Sequence, residues 1–420
     1  MAYAEKHGKG WRARYKLPDG SYGSEPGFAT KRAAKEWGEE QEVWLRRHPT
    51  YDPRKARTPL GEFVPIFMDS QDVALNTVAK RRQLLKAHIL PRWQYTPLCD
   101  IDLLTAKAWA KELQCADSTK GHVMTLLSMI LTAAVDGRYL LANPLFQRRI
   151  KKKSSAAIVK RTTSDDEVYA EPDEAYAISQ RLEGVARLML DVDVYTGLRW
   201  GELVGLHRDN CLLVRREKLN GKPWFRRVLR IDPEVGALHE VQVQLTEEEL
   251  EEWRRQEDER IAKAIRAGRP VRRKKEPETR TELFLGEPKN ESSAREVDVP
   301  SFLVALIEQH LETWPHEHPF STPGGQHWRR SNFARQQLRP AADGRPAREA
   351  RRGHRALPGW EPILPHFTMR GARHTHSTWM KEDEVDRALR FQTMGWVVKD
   401  IEGTYEHVTP VMRKRRLDGL

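Results

Sequence analysis

Two short segments between residue 167 and the C-terminus carry arginines suited to binding an anion. Gly197 marks a turn between two helical patterns and delivers Arg199 to the start of a helix, where backbone N–H groups also favour anions. Arg370 and Arg373 lie at i and i+3, on one side of a helical turn. Because guanidinium groups bind phosphate in a bidentate manner, these arginines predict a phosphate site. The alternative for Arg199 is a structural ion pair with Glu202.

Three further residues extend this set along the chain. Lys289 is predicted at the tip of a hairpin that joins strand Glu282–Gly286 to strand Arg295–Val299, and its alternative is a solvated turn lysine. Trp396 follows a Met-Gly pair, and Tyr405 lies in the sequence TYEH. Their alternatives are core packing for the tryptophan and a buried structural role for the tyrosine.

In this order, the residues resemble the tyrosine recombinase (phage integrase) family. The hallmark of that family is an Arg, a hairpin Lys, a His-x-x-Arg box, a His or Trp, and a Tyr nucleophile. The matching residues here are Arg199, Lys289, Arg373, Trp396 and Tyr405. Arg373 precedes Trp396 by 23 residues, and Trp396 precedes Tyr405 by nine. Both spacings are typical of the family.

One position departs from the family pattern. Arg370 stands three residues before Arg373, where the box has its His. Either Arg370 replaces the His and still contacts phosphate, or the register shifts to use His366. An arginine effectively never deprotonates, so any proton transfer by the box His is in question.

The resemblance implies how these residues act on DNA. Tyr405 would attack the scissile phosphate and form a 3′-phosphotyrosyl link, while Lys289 as general acid would protonate the leaving 5′-oxygen, which is released as a 5′-hydroxyl. Arg199, Arg370 and Arg373 would offset the charge of the transition state, and the Trp396 indole would donate to a phosphate oxygen.

No cofactor and no metal are expected. His316, Glu317, His318 and His327 lie close together in sequence, but their segment is rich in proline and is predicted to be a loop rather than a zinc site.

Composition agrees with a polyanionic partner. The 420 residues include 72 Lys and Arg against 60 Asp and Glu, a formal net charge of +12. No apolar run is long enough to span a membrane, no apolar signal core is seen at the N-terminus, and three cysteines are too few for a disulfide framework. We expect a multidomain, mainly α protein with small β-sheets (α+β), located in the cytoplasm and associated with the nucleoid.

Residues 1–55 are predicted to form a three-stranded sheet with one helix capped by Thr30. They resemble the small arm-type DNA-binding module of many integrases. Arg12, Arg14 and Lys16 would contact DNA; the alternative is an α+β cap whose basic residues are only solvated.

The remainder is predicted to comprise a helical core-binding domain (58–145), a basic linker (146–166) and a catalytic domain (167–420). Four helices are expected in 58–145. Their DNA contacts would be Lys80, Arg81, Arg82 and Lys86, although a charge run is usually a solvated face. The linker would either follow a phosphate backbone or act as a tether, and its basic residues are Arg148, Arg149, Lys151, Lys152 and Lys153. A charged insertion, 246–281, has no counterpart in the family core, and would contact a partner protomer or only solvent.

The expected partner is double-stranded DNA with attachment-type sites, recombined by a homotetramer on synapsed DNA; the free protein would be a monomer or a weak oligomer. A host bending factor and a directionality factor are further expected partners. No association with a membrane is expected. The alternatives are a decayed integrase that acts as a DNA-binding regulator, and a relaxing topoisomerase of the same chemistry.

Overall fold

The computed structural model describes residues 2–17, 20–48, 52–146, 168–350, 356–397 and 407–419. The chain divides into two compact units, Met1–Lys153 and Ser154–Leu420. In the part of the chain that is described, no helix is long and apolar enough to cross a membrane.

The first unit begins with an antiparallel sheet in the order β1-β2-β3. Its strands are followed by one helix: β1 (Tyr3–His7), β2 (Gly10–Lys16), β3 (Tyr22–Phe28) and α1 (Lys31–Arg47). Thr30 caps the helix by accepting a hydrogen bond from the Ala33 amide at 3.1 Å. Ala13 and Tyr15 are buried on one face of β2. The predicted sheet with one helix is confirmed.

The rest of this unit is helical. Its helices are α2 (Pro53–Ala56), α3 (Leu60–Asp69), α4 (Leu75–Leu84), α5 (Leu90–Trp93), α6 (Leu103–Glu112) and α7 (Asp117–Asp136). A π-helical turn, Leu85–Ile89, joins α4 to α5, so the predicted four long helices are present with the second one interrupted. Phe67, Trp93 and Ile130 are among the fully buried side chains of their shared core.

The second unit mixes helices with short strands. Its first elements are α8 (Pro172–Gln180), α9 (Gly184–Thr196), α10 (Trp200–Gly205), β4 (Leu213–Leu219), β5 (Lys222–Arg230), β6 (Ala237–Gln244), α11 (Glu247–Arg266) and β7 (Thr279–Gly286). The later ones are β8 (Glu296–Asp298), α12 (Ser301–Thr313), α13 (Arg330–Phe333), α14 (Arg339–Ala342), α15 (Met369–Glu382), α16 (Arg387–Met394) and α17 (Pro410–Asp418). Together with the first unit, these elements confirm the predicted α+β class.

The strands of this unit form two sheets, and one predicted pairing is wrong. β4, β5 and β8 make an antiparallel sheet, whereas β6 and β7 pair with each other from Ala237↔Gly286 to Gln244↔Thr279. The expected hairpin between β7 and β8 is therefore absent from the described structure. β7 finds a partner of equal length in β6, across the insertion, and β8 adds only three residues to the edge of β5.

The β6–β7 ribbon lies directly against α10. A Cβ atom on Gly201 would lie 2.5 Å from the Leu238 carbonyl oxygen, and one on Gly205 would lie 2.7 Å from the Leu238 nitrogen. The indole of Trp200 also donates to Glu240 of β6 at 3.2 Å. The absence of side chains at both glycines lets the ribbon support the short helix that begins after Arg199.

Candidate active site

Arg199 is held at the N-terminus of α10 by several partners. Gly197 ends α9 in the left-handed conformation (φ 63°), and the chain then turns into α10. The Arg199 guanidinium donates to Glu202 Oε1 at 2.7 Å, to Ser293 Oγ at 2.8 Å and to the Gly395 carbonyl at 3.3 Å. The alternative ion pair with Glu202 is thus present, yet the Arg199 side chain remains 26% exposed.

A second arginine shares the same carboxylate. Arg295, which is buried, donates to Glu202 Oε2 at 3.0 Å, to the Thr393 carbonyl at 2.7 Å and to the Ser293 carbonyl at 2.9 Å. Burial alone would raise the pKa of Glu202, but Arg295 and Arg199 outweigh burial and lower that pKa. Glu202 is therefore an ionised carboxylate shared by two guanidinium groups.

Arg373 lies beside this pair on α15. Its guanidinium donates to the carbonyls of Gly197 and Met394, so it joins the turn before Arg199 to the end of α16. Burial and the nearby Arg199 charge lower the pKa of Arg373 to about 10. Arg373 therefore stays charged at neutral pH, in surroundings that disfavour its charge.

Asp193 of α9 lies near Arg373 and is fully buried. Among the described residues, neither of its carboxylate oxygens has a hydrogen-bond partner. Burial raises its pKa well above the ordinary value; the charge of Arg373 opposes that shift and the charge of Glu202 adds to it. A protonated Asp193 leaves Glu202 as the one ionised carboxylate paired with these arginines among the described residues.

An open cleft of about 880 Å³ lies beside the cluster. Arg199, Trp396 and the segment 290–292 line it, together with Phe391. Trp396 is 37% exposed and packs edge-to-face on Phe391, with ring centroids 5.5 Å apart. Trp396 therefore packs on Phe391 and also lines the cleft, and its contact with a phosphate oxygen stays a prediction.

Lys289 lies in the connection that leaves β7 and leads to the short 3₁₀ turn Glu291–Ser293. The side chain is exposed, and the next residues, Asn290 to Ser292, line the cleft. Since β7 and β8 are not paired, this connection passes between two sheets rather than around a hairpin tip. The strand partners therefore differ from the prediction, whereas Lys289 still directly precedes the segment that lines the cleft.

Arg370 occupies the exposed side of the first turn of α15. Its Nε donates to His374 Nε2 at 3.2 Å, which makes that ring nitrogen the acceptor. His366 precedes the helix and its cap, Thr368, with φ at 68°, and its backbone amide donates to Asp343 at 2.7 Å. Of the two candidates for the box position, Arg370 is therefore the one on the helix of Arg373.

Several predicted site residues fall outside the described residues. They are the nucleophile Tyr405 and the linker residues Arg148, Arg149, Lys151, Lys152 and Lys153.

In the first unit, Arg12, Arg14 and Lys16 share the face of β2 opposite Ala13 and Tyr15. Arg12 and Arg14 both contact Glu5 of β1, at 2.8 and 3.2 Å, and Arg12 makes the largest contribution to lowering the pKa of Glu5. Two of the three predicted DNA contacts are thus partly neutralised by Glu5.

The basic run of α4 is more open. Lys80 and Arg82 are exposed, as is Lys86 in the π turn. Arg81 is half-buried, donates to Gln71 at 2.9 Å and lies over the Phe67 ring.

The clustered histidines bind backbone carbonyls. His318 and His327 contact the carbonyls of Leu206 and Val204 through Nδ1, each at 3.1 Å. Within the described ranges, no group of three or more His, Cys, Asp or Glu side chains is placed to hold a metal ion.

Sequence reasoning missed Ser293 and Arg295 as parts of the site. The sequence predicts Arg295 as the first residue of a strand and Ser293 as part of a turn. Their position directly after the Lys289 segment was the available signal, but their partners lie about 90 residues away along the chain.

Comparison with known proteins gives the fold. No protein-family model and no curated protein matches the sequence. The Tn1549 transposon integrase in complex with a circular intermediate DNA aligns with 86% of this chain and 100% of its own, at 14% identity and a TM-score of 0.51. A second complex of that integrase with circular intermediate DNA covers 86% and 99%, at 14% identity and a TM-score of 0.50. A lambda integrase dimer bound to a COC′ core site covers 97% of each chain, at 13% identity and a TM-score of 0.46. The chain therefore shares the fold of the Tn1549 integrase, a tyrosine recombinase, as the resemblance implied.

Proposed function

We propose that this protein is a site-specific DNA recombinase, an integrase that cuts and rejoins DNA through a 3′-phosphotyrosyl intermediate at Tyr405. The observation that carries the proposal is the group of three arginines, Arg199, Arg295 and Arg373, held together beside an open cleft. Like charges in one place are unfavourable unless an anion joins them, and Glu202 compensates only part of their charge.

The same cluster supports phosphoryl-transfer chemistry. A phosphodiester resists attack by an anion, so its pentacoordinate transition state needs positive charge fixed in advance. Arg199 is anchored to the buried Glu202 carboxylate and to a backbone carbonyl, and Arg373 to two backbone carbonyls, which fixes both positions before substrate arrives. Loss of one such donor costs roughly 10²–10³ in rate in other enzymes.

The proposed reaction assigns one role to each remaining residue. Tyr405, whose free phenol has a pKa of about 10, attacks as the phenolate, which the positive surroundings favour. The bond from phosphorus to the 5′-oxygen breaks, and Lys289 donates the proton to that oxygen. Trp396 donates its indole N–H to a non-bridging oxygen, and Arg370 contacts phosphate in place of the box His. Religation is the reverse reaction, since the phosphotyrosyl bond retains the energy of the phosphodiester.

We further propose the division into an arm-type module (1–55), a core-binding domain (58–145), a linker (146–166) and a catalytic domain (167–420). The substrate is duplex DNA with attachment-type sites on a mobile element, recombined by a homotetramer in the cytoplasm. The Tn1549 integrase, which has this fold, is found in complex with circular intermediate DNA. That complex favours DNA as the substrate here.

A second candidate is a DNA-binding regulator without cleavage activity. The observation that favours it is Arg370, which stands at the box His position and donates to His374. Without a group that can exchange a proton there, binding would persist and the chemistry would fail.

A trapping experiment separates the two candidates. The substrate is a pool of genomic fragments from the source organism that are nicked at random. When the enzyme cleaves beside a nick, the short strand between the two breaks diffuses away. An active enzyme then accumulates covalent adducts that survive denaturing gels. We expect adducts from the wild type and none from Tyr405→Phe. The matched control is Tyr95→Phe, because Tyr95 is 84% exposed and should be dispensable.

Sequencing the trapped DNA identifies the core site, which then serves for binding measurements. Tight and specific binding by the wild type to fragments selected non-covalently from the same pool, with no adduct formed on the nicked pool, would establish the regulator and overturn the recombinase.

A further inference from the structure

The insertion 246–281 forms a compact projection on the β6–β7 ribbon. Its helix α11 is 20 residues long, about 30 Å, and begins with a capping box between Thr246 and Glu249. The segment after it returns along the helix: Arg254 contacts Glu276 at 2.8 Å, and the Lys274 amide donates to Glu257 at 2.7 Å. The insertion is therefore held together by its own contacts rather than extended into solvent.

Its charges are separated along its length. From Glu247 to Arg260 the helix α11 is rich in glutamate, and its arginines are paired: Arg254 with Glu247, Arg255 with Glu252 and Arg260 with Glu257. From residue 260 to residue 275 the sequence has eight Lys and Arg and no Asp or Glu. The far end of the insertion is therefore strongly basic.

Most of these cations lack a carboxylate partner. Arg273 reaches back to Asp258, and Lys274 lies near Glu257. Five others are exposed and form no ion pair with any described residue. They are Lys263, Arg266, Arg269, Arg272 and Lys275, hereafter the basic end.

The basic end is also structurally fixed. Gly268, in the left-handed conformation at φ 63°, terminates α11, and the amides of Gly268 and Arg269 donate to Ile265 and Ala264 at 3.0 Å. Fixed like charges repel one another, so their concentration here has a cost in stability that an external polyanion would remove.

We infer that the basic end is a DNA-contact site of its own, which binds the phosphate backbone of the duplex apart from the scissile phosphate. This inference rests on the proposed function. A duplex carries one charge per about 1.7 Å of its axis, so it can engage several spread cations without a shaped pocket. An acidic protein surface would also attract the basic end, and the test below distinguishes it.

The β6–β7 ribbon connects the insertion to the candidate active site. β6 and β7 carry the insertion at one end of the ribbon, and the segment with Lys289 continues from the other end. β6 packs against α10 at Gly201 and Gly205, and α10 begins directly after Arg199. DNA held by the basic end is thus connected through one ribbon to both Arg199 and Lys289.

The experiment measures the salt dependence of binding by the full-length protein to a labelled duplex of arbitrary sequence. Each lost phosphate contact lowers the slope of log K against log salt by about 0.9. We therefore expect Arg266→Gln/Arg269→Gln to lower the slope by about 1 to 1.8.

The matched control removes two other positive charges from the same insertion. Arg255 and Arg273 are 76% and 58% exposed, but they are engaged by Glu252 and Asp258. Arg255→Gln/Arg273→Gln should therefore change the slope by less than half as much.

Three results would contradict the inference. Equal slopes in the wild type and both variants would overturn it while leaving the proposed function intact. A loss of self-association in Arg266→Gln/Arg269→Gln, with its DNA slope unchanged, would assign the basic end to a protein partner. A wild-type chain that binds no duplex would overturn the proposed function as well.

Discussion

The side chains of the candidate active site carry more positive than negative charge. Arg199, Arg295 and Arg373 are cationic, whereas Glu202 supplies one ionised carboxylate. Asp193 is nearby, but burial raises its pKa and favours the neutral acid. The cluster therefore keeps an excess of positive charge, which is the condition for binding a phosphodiester.

Asp193 should make stability depend on pH. A carboxyl whose pKa is higher in the folded state is ionised at a cost to folding. That cost is absent below its unfolded pKa, about 3.9, and grows as pH rises towards the folded value. Asp193→Asn cannot ionise, so its melting temperature should equal that of the wild type near pH 4. As pH rises from 4 to 8, it should increasingly exceed that of the wild type, because only the wild-type carboxyl has to ionise in the buried site.

Differential scanning fluorimetry across this pH range measures the difference directly. Asp383→Asn, at an exposed position in the same unit, is the control and should show no such trend. A constant difference between Asp193→Asn and the wild type at all pH values would contradict the prediction.

The sequence predicted that Arg199, Arg373 and Trp396 belong to one site, because each lies in a short segment with a local signal. The structure places Arg373 near Arg199, and Arg199 and Trp396 line the same cleft. Ser293 and Arg295 have no such signal, since their roles depend on Arg199 and Glu202 across the fold. The same limit applies to Asp193, which is buried with no hydrogen-bond partner for its carboxylate in the described part of the chain, because its burial follows from the packing of α9 rather than from its neighbours in sequence.

Buried arginine side chains hold the last described helix, α17, in position. Arg413 donates to Asp298 of β8 at 2.9 Å and to Gln392 of α16 at 2.8 Å. Arg416 donates to His376 Nε2 at 3.0 Å, and His376 Nδ1 in turn donates to the Val194 carbonyl at 2.9 Å. Burial and Arg416 keep the pKa of His376 well below its usual value, so the ring stays neutral and accepts this bond.

Arg413→Gln should therefore destabilise the second unit. Breaking a buried ion pair costs about 3–5 kcal/mol, but Arg226 still contacts Asp298 at 2.6 Å, so we expect about 2–3 kcal/mol. Lys414→Gln on the same helix removes an exposed pair with Asp418 and should cost at most about 1 kcal/mol. Denaturant unfolding of both variants provides the measurement, and equal losses would show that the Arg413 contact does not anchor α17.

Strand pairing shows why elements are easier to predict than their partners. Alternating residues identified β7 and β8 as strands, and their closeness in sequence favoured a hairpin. Pairing instead follows length, because the eight residues of β7 match the eight of β6 on the other side of a long insertion. Nothing in the local pattern of either strand specifies a partner that lies so far along the chain.

For the whole molecule, the two units differ strongly in charge. Residues 1–153 contain 27 Lys and Arg against 16 Asp and Glu, whereas residues 154–420 contain 45 against 44. The first unit therefore carries a net charge of +11 and the second +1. Their hydrophobic cores are also separate, which favours independent folding.

This division predicts which unit is responsible for general affinity for DNA. Sequence-independent binding depends on neutralised phosphates, so residues 1–153 expressed alone should bind an arbitrary duplex with a steep salt slope. Residues 154–420 expressed alone should show a slope smaller by about two or more, because only local clusters such as the basic end can contribute. Circular dichroism first verifies that each piece is folded, and fluorescence anisotropy at a series of salt concentrations then gives both slopes. Equal slopes would mean that the local arrangement of charge in the second unit, rather than the net charge of the first, governs how the protein holds DNA.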